Sequence, residues 1–208
     1  MNVATMRAAD RYVGVALCWL TGLTNLVFRR NSLPVGEIRT ILVIKFFGMG
    51  SILLSSPFLA SLRNRFPKAR ILFLTFEQNR GLAVRLPYGL EIRTIRTTAP
   101  ILFFKDVIRT LFQLRLASID AVFDLEFFSK FSTLISALTF SKIRIGFALP
   151  TFWRRQNLTH GVTLDKTDHV ANVFRRQLGA IRTNGSMICQ DVQFVLDAQV
   201  AIPELAFH

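Results

Sequence analysis

The chain has 208 residues, 51% of them hydrophobic, with a mean hydropathy of +0.38, a formal net charge of +13 and a pI near 11.2. That length supports one full domain with at most a small appendage, and that apolar content excludes disorder as a description of the whole chain. The charge favours anionic partners: nucleic acid, an acidic membrane face or phosphorylated substrates.

Nucleic-acid binders gather Lys and Arg into one stripe with exposed aromatics. Here the basic residues are dispersed, as Arg29-Arg30, Arg63/Arg65/Lys68/Arg70, Arg154-Arg155 and Arg175-Arg176, and most of the twenty Phe lie inside apolar runs. No nucleic-acid partner is expected from that pattern. Cys18 and Cys189 are far apart and make neither a disulfide framework nor a zinc site, which fits a reducing compartment. His160, His169 and His208 lack metal-ligand spacing.

Residues 12–28, "YVGVALCWLTGLTNLVF", carry no charged side chain and are bracketed by Arg11 and by Arg29-Arg30. Seventeen residues is short for a spanning helix, which needs about 20. Val13, Leu17, Leu20, Leu23 and Val27 recur at helical spacing, with Thr21, Thr24 and Asn25 toward one side. Trp19 and the flanking arginines favour a helix lying in the headgroup region. A helix packed on the protein itself and a true span are the other readings. No small-residue cleavage site follows, which argues against a signal peptide.

A linker-like Asn31-Ser32-Leu33-Pro34 leads to "IRTILVIKFF" (38–47), a continuous apolar run suited to a parallel strand buried on both faces. The turn Gly48-Met49-Gly50-Ser51 follows, then a helix running to about residue 65 and stopped by Phe66-Pro67. Pro57 implies either that Ser56 caps a helix with Pro57 at its first position or that the helix kinks there. Further strands are expected at 69–76, 90–95, 120–126 and 142–147, and a sixth at 192–197. Helices are expected at 77–86, 101–117, 129–140 and 167–181. In the helix at 101–117, Val107, Leu111 and Leu114 share one face, while Lys105, Arg109 and Arg115 point away. Trp153, Arg154, Arg155 and His160 fall in a loop, and Thr167 or Asp168 is the expected cap of the last helix. Strands alternating with helices every 20 to 25 residues imply βαβ units and a doubly wound parallel sheet of Rossmann type over residues 37–185, with 1–36 a hydrophobic, membrane-associating lead.

In such sheets ligands bind beyond the carboxyl ends of the strands, at the switch point of strand order. The Gly48-to-Ser51 turn lies at one such end, where its glycines permit positive φ and the following helix N-terminus offers N–H groups to an anion. Leu53 stands where a dinucleotide fingerprint needs its third glycine, and no P-loop Gly-Lys follows, so a tight strand-to-helix connection is an equal reading. Asp124 and Glu126 lie at another strand end. Asp124 reads as a structural carboxylate bonding loop groups, and Glu126 as either that or a general base. Ser51, with no His–acid partner, reads as a helix cap more readily than as a nucleophile.

Three blocks then carry a likeness. "ILVIKFFGMGSILLSSPFLASLRNRFPKARILFLT", "FDLEFFSKFSTLISALTFSKIRIGF" and "HVANVFRRQLGAI" resemble, in order and spacing, the first half of the ADP-heptose:lipopolysaccharide heptosyltransferases, glycosyltransferase family 9. The matching features are Pro57, Phe66-Pro67, Ala69-Arg70-Ile71, the Asp-Leu strand end, the basic strand closing on Gly-Phe and the His-start helix. The resemblance implies the N-terminal half of a two-domain GT-B enzyme that transfers a sugar with inversion and without metal at the cytoplasmic membrane face. The acceptor would be an anionic lipid-linked saccharide, held near Gly48, Met49 and Gly50 with Lys45, Arg154 and Arg155 as its basic partners. No cofactor is implied. The nucleotide-sugar donor, ADP-heptose-like, would bind a C-terminal domain whose connecting segment begins at 186–208. The catalytic base of the family follows the turn glycine, a position held here by Ser51. With Ser51 unable to take a proton, Glu126, beside Asp124, is the expected base.

Overall fold

The computed structural model describes residues 38–148, 156–164 and 167–181. The expected strand at 192–197, the hydrophobic run at 12–28, and Arg154 and Arg155 lie outside the described residues.

The fold is the expected one: a Rossmann-like α/β layer of six parallel strands with helices on both faces. Strand β1 (Thr40–Ile44) leads through helix α1 (Met49–Leu53) and α2 (Ser56–Arg65) to β2 (Arg70–Phe76). A 3-10 turn (Glu77–Asn79) and the one-turn helix α3 (Arg80–Ala83) precede β3 (Leu90–Ile95). Helix α4 (Pro100–Leu116) crosses to β4 (Ala121–Asp124), α5 (Lys130–Leu138) to β5 (Ile143–Ala148), and β6 (His160–Thr163) precedes α6 (Val170–Gly179). The strand order is β3-β2-β1-β4-β5-β6, and every neighbouring pair is parallel.

Side-chain alternation divides the central strands between two cores. Ile41, Val43, Ile71, Phe73, Ala121 and Phe123 face one layer, where they meet Phe58, Leu59 and Leu62 of α2 and Phe174 of α6. Leu42, Ile44, Leu72, Leu74 and Val122 face the other, packed on Leu114 of α4 and Ile135 of α5. Burial on both faces is why these strands read as unbroken apolar runs. The expected inner face of α4 holds: Leu114 is buried, and Val107 and Leu111 pack against the same core. Asp120 fixes the start of the sheet, its Oδ2 accepting from the backbone N–H groups of Arg39 and Thr40 at 2.8 and 2.9 Å.

Four local expectations are corrected. The break expected at Pro57 is present, dividing α1 from α2 where its ring has no N–H to continue the ladder, but the N-cap is Ser55 rather than Ser56 and Pro57 is second rather than first in α2. The helix expected at 77–86 is only a 3-10 turn and one α-helical turn. His160 lies not in a loop but in edge strand β6, paired with Ile145 of β5. His169, rather than Thr167 or Asp168, caps α6 by accepting the Ala171 N–H at Nδ1. Asp168 instead accepts from the Asn172 side chain and from Arg176, pinning the first two turns from outside.

Candidate functional site

Chain order reverses between β1 and β4: β2 and β3 extend the sheet to one side, β4 to β6 to the other. A crevice at the carboxyl ends of these two strands is therefore the place the topology provides for a ligand. The register sets Ile44 beside Asp124, so Lys45 comes level with Leu125, and Glu126 projects just beyond. Backbone pairing continues past the strands, with the Lys45 N–H donating to Leu74 O and the Leu125 N–H to Ile44 O.

Glu126 reaches across from the end of β4 to the segment that follows β1. Its Oε1 accepts from Lys45 Nζ at 3.1 Å and from the backbone N–H groups of Phe46 and Phe47 at 2.7 and 2.9 Å. Both residues of the ion pair are almost wholly buried, at 2% and 5% exposed. The Lys45 ammonium also lies 5.9 Å and 5.8 Å from the ring centres of Phe127 and Phe174, a cation–π setting on its remaining sides. Asn79 braces the same segment from the 3-10 turn after β2, its Nδ2 donating to Phe46 O at 2.8 Å and to Thr75 Oγ1 at 3.0 Å. Stacking of Phe46 on Phe76, with centroids 4.7 Å apart, completes the support. The chain between β1 and α1 is thus held by a carboxylate, an amide and an aromatic cluster before it reaches the glycines.

The turn itself is exposed at Gly48, Met49 and Gly50. Gly48 adopts φ +82°, and a Cβ there would lie 2.8 Å from Ser51 Oγ. Gly50 sits inside α1 with open space where its Cβ would be, so only the first glycine is required by the backbone. The Ser51 hydroxyl turns back on the turn, within 2.9 Å of both Phe47 O and Gly48 O. It does not cap α1, whose N-cap is Gly48.

Asp124 is fully buried. Its Oδ1 accepts the Glu126 N–H at 3.1 Å and its Oδ2 accepts the Ser132 hydroxyl at 2.9 Å, while its backbone carbonyl accepts Gln177 Nε2. It ties the end of β4 to the start of α5 and to α6. The structure therefore brings Lys45, Gly48, Met49, Gly50, Ser51, Asp124 and Glu126 together at and just beyond the carboxyl ends of β1 and β4. Sequence reading missed Asn79 and Gln177, which serve it from other elements. The one signal available for Asn79 was its place just after the carboxyl end of β2. Among the described residues no group of three or more His, Cys, Asp or Glu is placed to hold a metal ion.

No protein-family model matches the sequence, and no curated protein matches it. Solved structures do. The chain is similar to the glycosyl transferase family 9 structure from Veillonella parvula DSM 2008, with a TM-score of 0.62 at 20% identity over 77% of this chain and 48% of that one. It is also similar to E. coli heptosyltransferase WaaC, with ADP (TM-score 0.57, 15% identity, 73% of this chain and 50% of that one) and with ADP-2-deoxy-2-fluoro heptose (0.54, 15%, 67% and 47%). The chain spans about half the length of each. The fold of the described residues is the α/β fold found in glycosyl transferase family 9 structures.

Proposed function

We propose that this chain is the acceptor-binding half of a heptosyltransferase-type glycosyltransferase of family 9. It would take part in sugar transfer from an ADP-heptose-like donor to an anionic lipid-linked glycan at the cytoplasmic face of the bacterial inner membrane. The supporting observation is a braced, exposed turn at the switch point of a sheet that resembles a family 9 structure over 77% of the chain. The acceptor lies over Gly48, Met49 and Gly50, and Arg154 and Arg155 contribute positive charge. The donor belongs to a second domain. Transfer is inverting and needs no metal.

In this scheme residue 126 is the carboxylate of the crevice. The sequence-based assignment of Glu126 as base requires an acceptor hydroxyl to reach a group that is 5% exposed, one of whose oxygens already receives three N–H donors. That shielding, with a serine at position 51, favours a second reading: a membrane-associated domain that binds the glycan without turnover.

Calorimetric titration of the chain with lipooligosaccharide core acceptor and with ADP tests the scheme, expecting acceptor binding without comparable ADP binding. Tight ADP binding with no acceptor binding would sink it. Transfer measured with a donor-binding domain supplied separates the two readings. Turnover that persists unchanged in Glu126→Gln removes Glu126 as the base, and acceptor binding with no turnover in any assembly establishes the second reading.

A further inference from the structure

Helix α4 is apolar on two sides. Its inner side packs on the core, yet Ile101, Phe104, Ile108, Phe112 and Leu116 are exposed by 81%, 64%, 68%, 65% and 70%. Their spacing of three or four residues places them on one ridge along the helix, which at 17 residues is about 25 Å long. Five of the eleven large exposed hydrophobic residues among those described thus belong to one surface element, which marks a docking face rather than scattered exposure.

The charges on that face are of one sign. Lys105, Arg109 and Arg115 are exposed beside the ridge, and the Arg115 guanidinium lies 4.3 Å over the ring centre of half-exposed Phe140, extending the face onto the end of α5. The one acid of α4, Asp106, is turned inward and held by both guanidinium arms of Arg96 at 2.7 and 2.8 Å. A self-pairing of two copies would set these cations against one another with no acid between them. An aromatic and aliphatic ridge with cations at its margins matches the boundary of an anionic bilayer, where apolar side chains enter the acyl region and ammonium or guanidinium groups meet phosphate.

The position of the ridge agrees with this. Leu116 is four residues before Asp120, whose carboxylate holds the backbone of Arg39 and Thr40. The described chain therefore begins, at Ile38 to Thr40, at the same end of the sheet as the C-terminus of α4.

We infer that the outward face of α4 docks on anionic lipid, with Ile101, Phe104, Ile108, Phe112 and Leu116 inserting and Lys105, Arg109 and Arg115 contacting headgroup phosphates. This deepens the proposed function by naming the face that meets the membrane. Its test contains no sugar substrate, so the two can fail separately.

Flotation of the full chain with vesicles is the test, comparing phosphatidylglycerol–phosphatidylethanolamine with phosphatidylcholine. The wild-type protein is expected to bind the anionic vesicles, more weakly as salt rises. The triple variant Phe104→Ser/Ile108→Ser/Phe112→Ser should lose at least about tenfold in partitioning, with its far-UV spectrum retained. Lys105→Gln/Arg109→Gln should lose most of the salt-dependent part. Equal binding of wild type and triple variant overturns the proposal, as does equal wild-type binding to phosphatidylcholine. A wild-type dimer in light scattering that the triple variant abolishes assigns the ridge to a second copy and also overturns it. Should the triple variant misfold, a fluorophore on Ile108→Cys, with Cys18 and Cys189 changed to Ser, gives an independent reading. A blue shift on anionic vesicles supports insertion, and an unshifted spectrum refutes it.

Discussion

Lys45 and Glu126, 81 positions apart in sequence, form a 3.1 Å ion pair whose two residues are 2% and 5% exposed. Removing one partner of a buried pair leaves the other uncompensated in a poor solvent for charge, whereas removing both does not. Lys45→Met alone and Glu126→Gln alone should each cost about 3–5 kcal/mol of unfolding free energy, while the double variant should recover a large part. Urea unfolding of the four proteins measures the coupling. Additive losses would mean that the pair contributes nothing beyond its separate hydrogen bonds.

The two glycines of the turn should respond in opposite ways. Gly48→Ala forces an L side chain to φ +82° and sets its Cβ 2.8 Å from Ser51 Oγ. A cost of roughly 1–2 kcal/mol is expected from the backbone alone. Gly50→Ala meets nothing and removes backbone entropy from the unfolded chain, so it should stabilise by up to about 1 kcal/mol. Thermal unfolding of the two variants decides this, and equal destabilisation would show that the turn is not as described.

Acid sensitivity should have an identifiable source in Asp106. Hydrogen bonding from the Arg96 side chain is the main cause holding its carboxyl down at about 2, below the ordinary 3.8, with help from the Arg96 backbone N–H and against the opposing effect of burial. A group whose folded pKa is depressed contributes stability above its unfolded value and loses it as pH falls through the folded one. The contribution of Asp106 should therefore be complete above about pH 4 and fade toward pH 2. Asp106→Asn should flatten the stability profile in that window, most clearly at low salt because the Arg96 side chain is 45% exposed. An unchanged acid limb in the variant would place the sensitivity elsewhere.

How much of this could be read from sequence follows from what each residue depends on. The runs around Ile41–Ile44, 71–76 and 121–123 announce buried parallel strands because both faces are apolar, and no distant information is needed. Edge strand β6 escaped notice because "HGVT" is four residues long, half-exposed and ordered only by pairing with β5. Asp124 was legible as a structural carboxylate at a strand end. The engagement of Glu126 was not, since it requires Ile44 to fall beside Asp124, a register that no local pattern encodes. The inner face of α4, Val107, Leu111 and Leu114, was legible in the sequence, but the exposure of Phe104, Ile108 and Phe112 was not, since apolar residues on a helix look like core until their surroundings are seen.

The last prediction concerns how α6 is held. Arg65, at the end of α2, donates from Nη1 to Leu178 O at 2.8 Å and from Nη2 to Ile181 O. These carbonyls belong to the final turn of α6 and the residues after it, and Leu178 O also accepts the Ile181 N–H at 3.3 Å. The guanidinium adds a donor to each and joins two helices that already share the core through Leu62 and Leu178. Arg65→Met keeps much of the apolar stem but removes the donors. It should leave the sheet intact and lower the hydrogen-exchange protection of residues 178–181 selectively, with a modest fall in global stability. Because Gln177 Nε2 reaches Asp124 O from the same helix, loosening here should also be felt at the floor of the crevice, as reduced protection of the Glu126 N–H. Unchanged exchange at both places would show that packing alone docks α6.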